Sequence, residues 1–553
     1  PAAATGGTAA VGLLLVVLAR GLRRGKRRAW RLATALAAVA TALHVAKGLD
    51  VEEAVLSAIV LTLLVLGRGH FRAADGPRSG RTTAGVTIAA TVMGTALGWV
   101  LLTAVDGGQV PGTSAGQRLL HATLGLAGIP GPLRFTSPGA AGQAAAALLA
   151  VGAVAALAVL TAALRPAGGP HPLSPLEETR LRGLLDRQGS GDSLSYFALR
   201  RDRSVVFSAT GKAAVSYRVV GGVSLAAGDP VGDPEAWPGA IRAWLAEARG
   251  FGWIPAVLGA SERAAATYAR EGLDALELGD EAVVEVAEFS LDGRTMRGVR
   301  QAVARARRAG YRVRCDRMTE LTAEEVRAAR DASDAWRDGP VERGYSMALG
   351  RFGDPDDGAC VLVRVADEAG TLHGLLHLVP WGSDGLSLDL MRRDPQAENG
   401  TVEAMVTALL ADCGRLGVHR VSLNFAVFRA VFARGDRLGA GPVLRLWRAL
   451  LLQASRFWQI ESLYRANAKY QPEWVPRFLC FERPGQLSAI GIAALRAEAF
   501  LVAPSWVRRL SGSDAREGGP APGPRPTGTH GEGRPGPCPT GVPTSPTTST
   551  DQP

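Results

Sequence analysis

The chain has 553 residues, a formal net charge of +11 and an isoelectric point near 9.9. Its length suffices for three or four domains with separate cores, and its charge indicates anionic partners such as lipid headgroups or RNA. The five cysteines stand singly, with no CxxC pair and no histidine at metal-ligand spacing. This argues against a disulfide framework or a zinc site and indicates reduced cytosolic thiols. We expect neither a metal nor another cofactor.

Residues 1–165 predict an α-helical membrane domain of about five spans. Residues 82–105 and 139–164 contain no charged side chain over 24 and 26 positions, and about 20 apolar residues cross the hydrocarbon. Weaker spans are predicted at residues 8–19, 29–49 and 51–66. Because the chain starts at Pro1 close to an apolar run, we expect the native start to lie upstream.

Basic residues predict the orientation of these spans. Residues 20–31 hold seven Lys or Arg and residues 68–81 hold four, whereas the alternate loops are nearly free of them. Positively charged loops stay on the cytoplasmic side. We therefore expect everything after residue 165 to be cytosolic.

A Pro- and Gly-rich linker at residues 166–175 precedes the soluble part of the chain. Residues 511–553 contain ten Pro and nine Gly with almost no large apolar side chain, which predicts a disordered tail. Between them we expect two α/β domains, at residues 176–315 and 316–510.

Each of these α/β domains is predicted to repeat one order of elements. The first has strands at residues 203–209, 213–219 and 222–227, a helix at 236–249, a strand at 253–259 and a helix at 261–271. The second has strands at residues 358–366, 371–380 and 385–391, a helix at 401–416 and a strand at 419–425. This order is typical of the GNAT acyltransferase fold, whose splayed sheet opens a cleft at the start of the central helix.

Two segments resemble the synthase domain of the phosphatidylglycerol lysyltransferases, also called multiple peptide resistance factors. They are SLDLMRRDPQAENGT at residues 387–401 and SLYRANAKYQPEWVPRFLC at residues 462–480. The resemblance implies tandem GNAT-like folds in a multi-pass protein of a bacterial-type cell membrane. It also implies transfer of an aminoacyl group, most simply lysyl, from aminoacyl-tRNA to phosphatidylglycerol. Such a product lowers the negative charge of the membrane and protects against cationic peptides.

The resemblance implies a catalytic role for Asp389 and Arg392, which are three residues apart. A carboxylate here suits the α-ammonium of the aminoacyl group or a general base, and a guanidinium suits a phosphate; an ordinary surface ion pair is the alternative. Asn399, Gly400 and Thr401 then open a helix whose free N–H groups suit a phosphate or a tRNA terminus. Simple capping by Asn399 or Thr401 is the alternative. Arg393 and Asn424 are further candidates for substrate contact.

A second stretch, WRDGPVERGYSMALGRF at residues 336–352, resembles the family where a basic residue and a Glu precede Gly-aromatic-Ser. Glu342 and Ser346 are kept, as a catalytic and a substrate-binding candidate, but the expected Lys position falls on Gly339 or Pro340. A solvated carboxylate is the alternative for Glu342. The departure leaves the identity of the amino acid open.

The K-aromatic-x-P-x-W-x-x-R pattern of residues 469–477 is the most specific motif in the chain. Lys469 offers a flexible charge for a phosphate and is the catalytic candidate here. Tyr470 and Arg477 are substrate-binding candidates, and Trp474 is expected to be a packing anchor.

Residues 294–317 hold nine arginines against one acidic residue, with helical periodicity over residues 295–309. We expect this stripe to bind the tRNA backbone, with anionic lipid or a merely solvated face as alternatives. Arg297, Arg300, Arg305 and Arg308 are the residues we assign to tRNA. His373 and His377, by contrast, are expected to pack or hydrogen-bond within a strand, and we assign them no role.

Other functions remain open at this stage. A Fem-like transferase that modifies a peptidoglycan precursor shares the tandem fold, and a non-catalytic membrane transporter or scaffold with a lipid- or RNA-binding domain is a third interpretation. An ordinary acetyltransferase is disfavoured because the turn before residue 401 lacks the Gly-x-Gly loop expected for coenzyme A.

Overall fold

The structure is a computed structural model, and it describes residues 2–23, 25–47, 51–71, 79–104, 113–164, 171–337, 339, 342–427 and 465–501. The predicted disordered tail at residues 511–553 and residues 166–170 of the predicted linker lie outside these ranges. The described residues of the first 502 belong to one compact unit.

The first part of the chain is helical, as its apolar runs predict. Its helices are α1 (Ala2–Arg23), α2 (Arg27–Lys47), α3 (Val51–Leu66), α4 (Ser79–Ala104), α5 (Ala115–Gly125) and α6 (Pro138–Ala163). Five of them coincide with the five predicted spans, and the short α5 was not predicted. Two segments, Thr83–Thr103 and Pro138–Ala163, are long and apolar enough to cross a membrane; the other three spans stay predictions.

Twelve strands and seven helices follow in the described residues. The strands are β1 (Ser204–Phe207), β2 (Ala213–Val220), β3 (Val223–Ala227), β4 (Val231–Gly232), β5 (Ile254–Ala260), β6 (Asp274–Glu285), β7 (Arg312–Arg317), β8 (Val361–Ala366), β9 (Leu372–Trp381), β10 (Gly385–Arg393), β11 (Arg420–Val427) and β12 (Glu473–Phe481). The helices are α7 (Pro175–Gln188), α8 (Trp237–Phe251), α9 (Glu262–Arg270), α10 (Arg297–Arg308), α11 (Ala323–Ala335), α12 (Thr401–Leu416) and α13 (Leu487–Ala497).

All these strands belong to a single mixed sheet. Its order is β1-β2-β3-β5-β12-β6-β11-β10-β9-β8-β7, with β4 paired to β2. Each half contains one parallel pair, β3 with β5 and β10 with β11, flanked by antiparallel strands. The predicted order of elements is confirmed in both halves.

The two halves exchange strands at the centre of the sheet. Strand β6, which follows α9 of the first half, pairs with β11 of the second half. Strand β12, which ends the second half, pairs with β5 of the first half. The two halves therefore share one sheet, and the predicted boundary between residues 315 and 316 falls inside β7.

The second half of the sheet carries a core on each face. Alternate residues of a strand point to opposite faces, and on β9 Leu376 and Leu378 pack against α10 and α12, whereas Leu375 and Val379 pack against α7, α11 and the segment at residues 345–349. We name these the α12 face and the loop face.

Candidate active site

The strands β10 and β11 separate at the centre of the second half-sheet. They are paired in parallel at three positions, the last of which joins Ser387 to Ser422. The register between β10 and β9 then shifts between Leu388 and Leu390, which places Asp389 in a β-bulge. Bulges re-aim side chains and are frequent next to active sites. The motif residues Asp389 and Arg392 thus lie where the parallel pair ends.

Asp389 is buried, with 5% of its side chain exposed. Its Oδ1 accepts a 2.6 Å hydrogen bond from the backbone N–H of Leu349. Its Oδ2 lies 2.7 Å from Nδ1 of His377, which is 1% exposed. The prediction that His377 is hydrogen-bonded within a strand is confirmed, but its partner is the leading candidate residue of the motif.

Arg392 reaches the loop face and forms an ion pair with Glu342. The pair is partly open to solvent, with 20% of the arginine and 35% of the glutamate side chain exposed. The Nε of Arg392 is buried and has no hydrogen-bond partner among the described residues. This pair brings together two of the four catalytic candidates from stretches 50 residues apart in the chain. Solvent, and therefore a substrate, can reach this pair of opposite charges.

Two residues that are far away in the sequence, Arg200 and Glu498, hold the segment that follows Glu342. Glu498, just after α13, accepts hydrogen bonds from the backbone N–H groups of Tyr345 at 2.6 Å and Ser346 at 3.0 Å, and from the hydroxyl of Ser346. Arg200 donates to the carbonyls of Gly344 at 3.0 Å and Ala348 at 2.9 Å. Ser346 is therefore engaged with Glu498.

Tyr345 anchors this segment beneath α13. Its hydroxyl donates to the carbonyl of Leu225 in the first half, and the guanidinium carbon of Arg203 lies 4.4 Å from its ring centroid. Burial lowers the pKa of Arg203. Two distant parts of the chain thus fix the backbone next to Glu342.

Helix α12 begins at the end of the motif. Gly400 is its N-cap, with a φ of 110° and no side-chain hydrogen bond, so the alternative that Asn399 or Thr401 caps the helix does not hold. The hydroxyl of Thr401 donates instead to the carbonyl of Glu398 at 2.7 Å. A Cβ atom at Gly400 would lie 2.3 Å from the carbonyl oxygen of Ala302 in α10. Only glycine fits this approach of α12 to α10.

Three further substrate-binding candidates lie near this turn or on the next strand. Arg393 is exposed and donates a long 3.5 Å hydrogen bond to the carbonyl of Ala397. Asn399 is exposed in the turn. Asn424 lies in β11, and its side chain is outside the described part of the structure.

Lys469 contacts the α12 face. Its Nζ lies 2.8 Å from Oε1 of Glu403, in the first turn of α12. Burial opposes ionisation of Glu403, but the hydrogen bonds from Lys469 and from its own backbone N–H, together with the charges of Lys469 and Arg305, outweigh burial, and the pKa of Glu403 is lowered. The neighbouring Tyr470 is buried in the core of the same face. Lys469 therefore binds a different partner from those of Asp389 and Arg392.

Arg477 is at the junction of the two half-sheets. Its guanidinium donates to Asp192 at 2.7 Å and to the hydroxyl of Ser193 at 2.7 Å. Its Nε and Nη2 both donate to Oε2 of Glu281. Only 4% of its side chain is exposed. The prediction that Arg477 binds substrate needs correction, because every direction of its fork is occupied by buried partners.

A third acidic group, Asp229, adjoins this cluster. Asp229 accepts two hydrogen bonds from Ser261, and its backbone N–H donates to Asp192 at 2.9 Å. Burial, together with the charge of Asp192, raises the pKa of Asp229 to about 7. The cluster thus combines one arginine with three carboxylates, one of which takes up a proton near neutral pH.

The arginine stripe consists of α10 and the edge strand β7. Val299, Ala302, Val303 and Ala306 of α10 are buried, a spacing that buries one face of a helix, and the four arginines we assign to tRNA are exposed. Arg300 donates to the carbonyls of Leu291 and Gly293, and Arg308 to that of Ala304. The start of α10 adjoins the turn at residues 469–472, which we name the Lys469 loop. Gln471 in this loop donates to the hydroxyl of Thr295, just before α10, at 2.6 Å.

Sequence reasoning missed His377, Glu498 and Arg200 as parts of this site. A histidine on the strand next to β10 was a usable signal for His377. Glu498 and Arg200 lie far from the motifs and carry no local pattern. Among the described residues, no group of three or more His, Cys, Asp or Glu side chains is placed to hold a metal ion.

Comparisons with known proteins place this site in a family. Residues 182–481 match the family described as phosphatidylglycerol lysyltransferase, C-terminal. Lysylphosphatidylglycerol biosynthesis bifunctional protein LysX from Rhodococcus jostii is 47% identical over 457 residues, which is 82% of this chain and 41% of that protein. The protein of the same name from Mycobacterium tuberculosis is 47% identical over 450 residues, or 81% of this chain and 38% of that protein.

The chain thus spans less than half the length of these relatives. The structure of L-PGS from Bacillus licheniformis is similar with a TM-score of 0.52 and 21% identity, covering 60% of this chain and 98% of that chain; this likeness concerns the fold. The family match covers β10, the Glu342 segment and the Lys469 motif together. The chain therefore belongs to the phosphatidylglycerol lysyltransferase C-terminal family, a family of transferases.

Proposed function

We propose that this chain transfers an aminoacyl group, lysyl in the simplest case, from aminoacyl-tRNA to a headgroup hydroxyl of phosphatidylglycerol. The observation that carries the proposal is the partly exposed Glu342–Arg392 pair at the end of the parallel β10–β11 pairing, within the region that matches the family. The names of the relatives, lysylphosphatidylglycerol biosynthesis proteins, support the lipid product and the amino acid.

The reaction exchanges one ester for another. The glycerol hydroxyl oxygen attacks the carbonyl carbon of the aminoacyl ester, the bond from that carbon to the tRNA ribose oxygen breaks, and the hydroxyl proton passes to the leaving ribose oxygen. The donor ester is already activated, so the protein has to orient the two groups and offset charge.

Charge and exposure suggest how the residues divide this task. The carboxylate of Glu342 suits the α-ammonium of the aminoacyl group or the proton of the attacking hydroxyl. The guanidinium of Arg392, whose Nε is unpartnered, suits a phosphate oxygen. Asp389 is buried with both oxygens occupied, which favours a supporting role for it over direct contact with substrate.

The residues on the α12 face are those that we expect to bind tRNA. The exposed arginines of α10 lie beside the Lys469 loop, and the charge of Arg305 acts on Glu403, the partner of Lys469. Together they offer a run of cations to a phosphate backbone. We propose that the acceptor end of tRNA approaches from this side.

We also propose that the helical part holds the enzyme in the cell membrane, with the site on the cytoplasmic side. The two helical segments of spanning length and the basic residues between the predicted spans support this arrangement. Addition of lysine changes an anionic lipid into a cationic one, and the membrane then attracts cationic peptides less strongly.

The test uses the full chain in vesicles, supplied with radiolabelled lysyl-tRNA. We expect labelled lipid from phosphatidylglycerol vesicles and none from phosphatidylcholine vesicles, with the product identified by mass spectrometry. Alanyl-tRNA tests the amino acid. Label that appears on a peptidoglycan precursor, or that stays on tRNA in the presence of phosphatidylglycerol, would contradict the proposal.

A matched pair of variants tests the role of the Glu342–Arg392 pair. Glu342→Gln keeps the shape and removes one charge, and we expect a loss of about a hundredfold in rate, since one transition-state contact is worth about 3 kcal/mol. Glu368→Gln removes the same charge from the exposed pair with Arg312, where 74% of the glutamate and 78% of the arginine are exposed. It should leave the rate unchanged.

A further inference from the structure

His377 and Asp389 form a buried pair on neighbouring strands. The ring Nδ1 lies 2.7 Å from Oδ2 of the carboxylate, and the edge of the ring meets Phe352 at a centroid distance of 4.9 Å. The other oxygen of Asp389 accepts the backbone N–H of Leu349 at 2.6 Å. One unbroken line of hydrogen bonds thus runs from β9 through β10 to the segment that carries Glu342.

If packing were its only role, the imidazole of His377 would lower the stability of the fold at this place. Its Nε2 is buried and has no hydrogen-bond partner among the described residues, and a buried polar atom without a partner lowers stability. The neighbours on the same face of β9, Leu375 and Val379, are fully buried aliphatic residues. Leucine at residue 377 would pack among them without that cost, so the bond to Asp389 is what the histidine contributes.

We infer that His377 is a positioning residue, which acts through Asp389 on residues 342–349 and so sets the place of Glu342. The expected effect of His377 on the reaction rate rests on the proposed function. Its expected effect on the position of residues 342–349 rests on the hydrogen bonds alone. Asp389 accepts from both sides, and loss of the imidazole donor leaves its buried carboxylate free to turn away from Leu349. Small displacements of a reacting group cost large factors in rate.

Three variants of the full chain test this role. His377→Leu removes the donor, whereas His377→Asn keeps an N–H near the place of Nδ1. His373→Leu is the matched control, since His373 is on the same strand and its ring also bonds a carboxylate, that of Asp367 at 3.1 Å. The readouts are kcat and KM for lysyl-tRNA with phosphatidylglycerol vesicles, and hydrogen exchange of the amides at residues 345–349.

We expect H377L to lower kcat about tenfold or more while KM changes by less than about twofold, and to speed exchange of the Leu349 amide. H377N should have a kcat within about threefold of the wild-type value. H373L should match the wild type in kcat and in exchange of the Leu349 amide. In an Asp389→Asn background, H377L should add little, because the two residues act as one unit.

Unchanged kcat and unchanged exchange in H377L would overturn the inference, as would equal losses in H377L and H377N. If H377L fails to fold, His377→Gln takes its place, because the Gln amide lies near the position of Nε2 and gives no donor at the place of Nδ1. Full additivity of His377→Gln with Asp389→Asn then counts against the inference. If the wild type makes no aminoacyl lipid, the proposed function fails. The exchange data then still test whether His377 holds the segment.

Discussion

Replacement of Arg477 by Met tests whether the buried cluster stabilises the joint between the half-sheets. Methionine fills much of the same volume, but it leaves Glu281 and Asp192 without their cation at side-chain exposures of 1% and 2%. Removal of one partner of a buried ion pair costs about 3–5 kcal/mol. We therefore expect the unfolding free energy to fall by about 4 kcal/mol.

Thermal unfolding of the full chain in detergent measures this change. Each kcal/mol corresponds to about 2 °C for a large domain, so R477M should lower Tm by about 8 °C. Arg242→Met is the control, because 63% of the Arg242 side chain is exposed in its 2.7 Å pair with Glu271, and exposed pairs contribute at most about 1 kcal/mol. Equal losses in both variants would refute the reasoning, and the double variant R477M/E281M should regain part of the stability.

Three more changes test the cluster, the turn and the stripe. Because the pKa of Asp229 is raised from 3.8 to about 7, folding takes up a proton between these pH values, and the free energy of unfolding falls as pH rises through them. Asp229→Asn should abolish that fall, so that the free energy of unfolding gains at most about 4 kcal/mol at pH 8 and nothing at pH 4. Gly400→Ala, with its Cβ 2.3 Å from a backbone oxygen of α10, should cost about 2 kcal/mol or more, whereas Gly414→Ala, in open space on α12, should gain up to about 1 kcal/mol. Replacement of Arg297 and Arg305 by Ala should flatten the salt dependence of tRNA binding by about one slope unit for each lost phosphate contact; an unchanged slope with weaker binding to anionic vesicles would assign the stripe to lipid.

Local patterns predicted the local elements well. The helix predicted at residues 401–416 has the observed bounds Thr401–Leu416, because a glycine precedes it, another follows it and its apolar residues recur with the helical period. The order of strands and helices in each half was also predicted, since β-branched runs and turn residues alternate with helical periodicity.

The strand exchange was beyond sequence patterning. The partners of β6, which are β11 and β12, lie about 140 and 200 residues further along the chain. A pairing over that distance leaves no local trace in the sequence. The same limit explains why Arg477, which lies within the motif, was predicted to bind substrate. Its partners Asp192 and Glu281 are 285 and 196 residues away, and only the folded chain shows that they neutralise it.

A line of polar contacts joins the two half-sheets to each other. It starts at Asp229, just after β3 where the first parallel pair ends, and passes through Asp192 and Arg477 to Glu281. Glu281 also accepts a hydrogen bond from Ser422, whose partner in the parallel register is Ser387 on β10, two residues before Asp389. The points at which the two parallel pairs end are thus bonded to each other through buried charge. A shift of the first half would break at least one of these bonds, so the first half acts as a rigid support for the strand that carries the candidate site.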